Sequence, residues 1–91
     1  MGHTLYYNYR CEHWNELREF LKEISSGLGL SLSESNESVL VHSPCPQVES
    51  LVIPRRGREF VKTNKIEPCH SLYKLIIHSL SFFGSLEVWE D

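Results

Sequence analysis

The chain has 91 residues, 41% hydrophobic and 11% aromatic, enough for one two-layer core and too apolar for a disordered segment. Its net charge of −3 at pH 7 argues against general coating of DNA. Aspartate occurs only at Asp91, which excludes any active site that needs an internal aspartate. A single domain over residues 1–91 is expected.

In chain order, "TLYYNYR" alternates Leu5, Tyr7 and Tyr9 against Thr4, Tyr6 and Asn8. Period two with aromatics predicts a strand with one buried face. In "HWNELREFLKEISSGLG", Trp14, Leu17, Phe20 or Leu21, Ile24 and Leu28 recur at helical spacing, with charged residues opposite. Gly27 is expected as the left-handed cap. The stretch "LGLSLSESNESVLVH" predicts a hairpin from Leu28, Leu30 and Leu32 through a polar turn to Val39 and Val41. Pro44 and Pro46 interrupt it. "VESLVIP" predicts a further strand, and "REFVKTN" a short one at a sheet edge. "EPCHSLYKLIIHSLSFFG" predicts a second helix with a narrow polar stripe (Ser71, Lys74, His78, Ser81) and Gly84 as its cap. "SLEVWED" closes as a strand, Leu86 and Val88 against Glu87 and Trp89.

Each helix needs a sheet to cover its apolar stripe. The order predicts an α+β fold: a two-layer ferredoxin-like sandwich, an antiparallel sheet with two helices on one face and an extra hairpin. The longest apolar run is too short and polar to span a bilayer, and residues 1–10 lack the basic flank and apolar core of a secretory signal. No membrane association and a cytoplasmic location are expected.

Charge is unevenly placed. Five of the nine basic residues fall in 55–65: Arg55, Arg56, Arg58, Lys62 and Lys65, against the single acid Glu59. Within this stretch "RGREFVKT" resembles the third-strand signature of the RNA-recognition motif at Arg56, Gly57, Phe60 and Val61, and "LYYNYR" resembles that family's first-strand motif at Leu5 and Tyr6. The pattern departs at Arg58, Glu59 and Thr63, so about half of one signature is present. The resemblance implies Tyr6 and Phe60 as stacking rings on an open sheet face, with Arg56, Arg58 and Lys62 as phosphate contacts. The competing expectation is that Phe60 is core and the cations keep an edge strand soluble.

Cysteine and histidine cluster as Cys11/His13, His42/Cys45 and Cys69/His70. His42/Cys45 has a workable spacing for zinc, but Cys11/His13 is unusual and the adjacent Cys69 and His70 would point apart, so the set is weak beside a paired CxxC site. Three cysteines do not close a disulfide framework, so reduced, buried thiols are expected. No phosphate-binding glycine loop, nucleophile elbow or zinc-protease helix is present. The expected function is therefore a small non-enzymatic binding domain, without metal or cofactor, that contacts an anionic partner such as RNA through 55–65. The candidate residues are Tyr6, Arg55, Arg56, Arg58, Phe60, Lys62 and Lys65. The alternatives are a self-associating or protein-partner module, for example a homodimer through a sheet edge, and a cysteine/histidine metal or redox protein.

Overall fold

A computed structural model describes residues 2–91 as an α+β fold of two helices and two three-stranded antiparallel sheets. The strands are β1 (Thr4–Cys11), β2 (Leu32–Glu34), β3 (Ser38–Val41), β4 (Leu51–Pro54), β5 (Arg56–Lys62) and β6 (Gly84–Glu90). The helices are α1 (Trp14–Leu28) and α2 (Cys69–Ser79), the latter continued by a 3-10 turn at Leu80–Phe82. One sheet has the order β5-β1-β6 and the other β2-β3-β4. No helix is long and apolar enough to cross a membrane.

The expected single sheet thus divides, and Arg55 is where it does so. Its carbonyl accepts from Cys11 N–H at 2.9 Å, while its own N–H donates to the Glu37 carbonyl at 2.8 Å. One residue therefore holds β1 of the first sheet and the β2–β3 turn of the second. Two residues on, Gly57 has φ 130°, a conformation closed to residues with a Cβ. The chain 51–62 turns at this point instead of running on as one strand.

The core lies between these layers. Leu5, Tyr7 and Tyr9 of β1 and Val61 of β5 meet Val39, Val41, Leu51 and Ile53 of the second sheet, with Leu17 and Leu21 of α1 and Tyr73, Ile76 and Ile77 of α2. Three buried tyrosines carry polar ends that need partners. Tyr7 donates to the Val52 carbonyl. Tyr9 donates to the Leu80 carbonyl at 2.9 Å and Tyr73 to that of Glu49 at 2.8 Å. Burial pushes all three phenols above their ordinary pKa, so each stays a donor.

Several expectations need correction. Gly29, not Gly27, takes the left-handed cap of α1, with φ 72°. Leu28 ends α1, so the first strand of the hairpin shrinks to Leu32–Glu34. Gly84 opens β6 rather than capping α2, and a Cβ there would lie 2.2 Å from the Arg10 carbonyl oxygen. It is required by close backbone approach. The thiols are not all reduced: Cys45 and Cys69 form a disulfide, Cα–Cα 6.4 Å, tying the 42–50 loop to the start of α2, and only Cys11 is free. Such a bond is uncommon in reducing compartments.

Candidate nucleic-acid interface

Alternation along β1 sets the geometry. Leu5, Tyr7 and Tyr9 turn into the core, so Tyr6 and Asn8 must turn outward with Arg10. The antiparallel register then fixes their neighbours. Tyr6 lies opposite Phe60 on β5 and Trp89 on β6. Asn8 lies between Arg58 and Glu87, and Arg10 between Arg56 and Ser85. The open face of the β5-β1-β6 sheet therefore carries one aromatic row and, beside it, two rows rich in arginine.

The aromatic row is well formed. Tyr6 and Trp89 are parallel to within 9°, with ring centroids 5.9 Å apart, and Phe60 sits 6.1 Å from Tyr6 at 39°. Phe60 is 57% exposed and Trp89 46%. A large ring left in water forgoes burial worth about 1.5–3 kcal/mol, and Phe60 and Trp89 are two such rings in one row, with Tyr6 half-buried between them. Phe60 is thus not core; Val61, its neighbour in the chain, fills that role.

The cations around the row have no internal partners. Among the described residues Arg18, Lys22 and Lys74 enter ion pairs, whereas Arg10, Arg56, Arg58 and Lys62 enter none. Arg10 and Arg56 stand directly opposite each other, a like-charge pairing that disfavours the isolated sheet. Two acids temper the field. Glu87 accepts from Asn8 Nδ2 at 3.0 Å, and Glu49 accepts the Lys62 backbone N–H at 3.0 Å.

Of the candidate residues, Tyr6, Arg56, Arg58, Phe60 and Lys62 come together on this face. Arg55 lies outside the strands of this face, at the junction of the sheets, where it lines a cleft with Glu12 and Glu37 and also with Arg10 and Arg56. Lys65 also falls away, because Asn64 and Lys65 take left-handed backbone (φ 52° and 57°) in the turn after β5. Trp89 and Arg10 belong to the face and were not among the expected residues. Their outward parity was readable, but their pairing with Tyr6 and Arg56 depends on which strands flank β1.

The cysteine–histidine clusters do not assemble. Cys45 and Cys69 are bonded to each other, His42 bonds Ser33 Oγ at 2.6 Å, and His13 pairs with Glu16 at 3.3 Å. Comparison with family models, curated proteins and solved structures finds no match to the chain.

Proposed function

We propose that the chain is a non-enzymatic binding domain that holds single-stranded nucleic acid, RNA in the first instance, on the open face of the β5-β1-β6 sheet. The observation that carries this reading is the Phe60–Tyr6–Trp89 row bordered by unpaired cations. Bases stack on such rings whatever their sequence, and cations beside them take the phosphates. A duplex hides its base faces, so a single strand is the better fit. The flanking of β1 by β5 and β6, each antiparallel to it, supports a ferredoxin-like ancestry for this half of the molecule, with β2-β3-β4 set apart as a second sheet.

A titration of labelled single-stranded RNA at about 50 mM salt tests the proposal. Saturable binding that weakens with salt supports it, and absence of binding under those conditions refutes it.

A second reading, self-association, is favoured by one observation. In the order β5-β1-β6 the outer edge of β6 has no strand beside it, and an open edge pairs readily with another chain. Concentration-dependent sedimentation, lost when a proline replaces an edge-facing β6 residue, would support that reading.

A further inference from the structure

We propose that His3, His70 and Glu90 form a binding site for a divalent transition-metal ion of the zinc type. Their ligand atoms, one from each residue, lie within 4.8 Å of one another, and no other group of three such residues does so among those described. They come from three places: the segment before β1, the start of α2 and the end of β6. Sequence spacing cannot reveal such a set.

The donors suit a borderline cation. Two imidazoles and one carboxylate are a standard three-residue zinc set, leaving a fourth position for water. Each ligand is oriented from behind. Thr63 Oγ1 lies 2.7 Å from His70 Nδ1, which leaves Nε2 for the ion. Lys74 Nζ holds Glu90 Oε2 at 2.8 Å, which leaves Oε1. His3 is fixed through its backbone: its carbonyl accepts from Thr63 N–H at 3.0 Å and Asn64 N–H at 3.1 Å, and its N–H donates to Asn64 Oδ1 at 3.2 Å. Glu90 is held in the same way, because Thr4 and Asp91, on either side of the site, exchange backbone bonds of 3.1 and 3.0 Å. Ligands on anchored backbone are the requirement for a usable site.

Without an ion, a proton fills the gap: His3 Nε2 and Glu90 Oε1 are 2.7 Å apart. The metal replaces that proton. The His3 proton moves to Nδ1, Nε2 becomes a ligand, and the nitrogen–oxygen separation opens to about 3.3 Å, as bonds of about 2.0–2.2 Å in tetrahedral geometry require. His70 turns edge-on to His3, with ring centroids 5.1 Å apart, and brings its free nitrogen in. A bound ion would clasp the end of β6, next to Trp89, to the start of α2 and the segment before β1.

The experiment uses the whole chain, free of any affinity tag and stripped with chelator, titrated with zinc by calorimetry and with cobalt by visible absorption. Expected are one ion per chain, tetrahedral cobalt bands, and affinity reduced about 100-fold or more in His70→Gln and in Glu90→Gln, both judged folded by circular dichroism without metal. Thr63→Val, which removes only the bond behind His70, should weaken binding about 10–100-fold. Absence of zinc uptake by the wild-type chain overturns the proposal, as does uptake at unchanged affinity in both ligand variants, which would place the ion elsewhere. The wild-type cobalt spectrum decides independently if a variant fails to fold.

Discussion

Trp89 lies parallel to Tyr6, 5.9 Å between ring centroids, although the two come from opposite ends of the chain. The antiparallel β1–β6 register places them side by side, and the same register sends Tyr7 the other way to bond Val52 beneath the sheet. Adjacent tyrosines therefore serve separate ends, one lying on the open sheet face and one bracing the core.

From this separation follows the first prediction. Tyr6→Ala, Phe60→Ala and Trp89→Ala should each weaken single-stranded RNA binding by about 1–3 kcal/mol. Phe60→Ala should leave the urea midpoint nearly unchanged, because its ring is mostly in water. Tyr7→Phe should act oppositely: unaltered binding at saturation, and stability lower by about 1–3 kcal/mol from an unpaired buried carbonyl. Equilibrium unfolding beside fluorescence anisotropy separates the two effects.

The disulfide gives a second prediction. Cys45 and Cys69 are 24 positions apart, and closing a loop of that length restricts the unfolded chain by about 3 kcal/mol. Reduction, or the Cys45→Ser/Cys69→Ser double variant, should lower the unfolding free energy by about 2–4 kcal/mol. RNA binding should persist, since neither cysteine lies on the β5-β1-β6 face. Denaturation with and without reductant measures this.

The third concerns acid. Pro68 before α2 offers no side-chain cap. Glu67 does the work instead, accepting Ser71 Oγ–H at 2.6 Å and Ser71 N–H at 2.9 Å, and these two bonds hold its carboxyl below the ordinary range. A lowered folded-state pKa means stability present above the unfolded value and lost as pH falls through the folded one. Wild-type protein should therefore exceed Glu67→Gln in stability at neutral pH, with the difference shrinking as pH falls through the carboxylate range. Thermal melts at a series of pH values check the sign.

Much of this fold was legible because it is periodic. The alternation in "TLYYNYR" and in "SLEVWED" assigned inward and outward residues correctly except at Thr4, which is buried, and Trp14, Leu17 and Leu21 lie buried along α1 as their spacing required. The division into two sheets was not legible. It depends on the direction the chain takes at Arg55–Gly57, between two strands that were expected, and on a glycine whose backbone angle a sequence does not display. The disulfide was hidden for a related reason: three cysteines do not say which two meet. On the open sheet face, residue type and parity brought together Tyr6, Phe60 and three of the cations. Register supplied Trp89 and Arg10, and loop geometry removed Arg55 and Lys65.

If the unpaired cations around the aromatic row contact phosphates, the salt dependence of binding reports them. Each phosphate neutralised on a single strand contributes about −0.7 to the slope of log K against log salt. The Arg56→Gln/Arg58→Gln/Lys62→Gln variant should fold at least as stably as the wild type, bind single-stranded RNA more weakly, and show a slope shallower by about 2. An identical slope in wild type and variant would contradict phosphate contact by these cations.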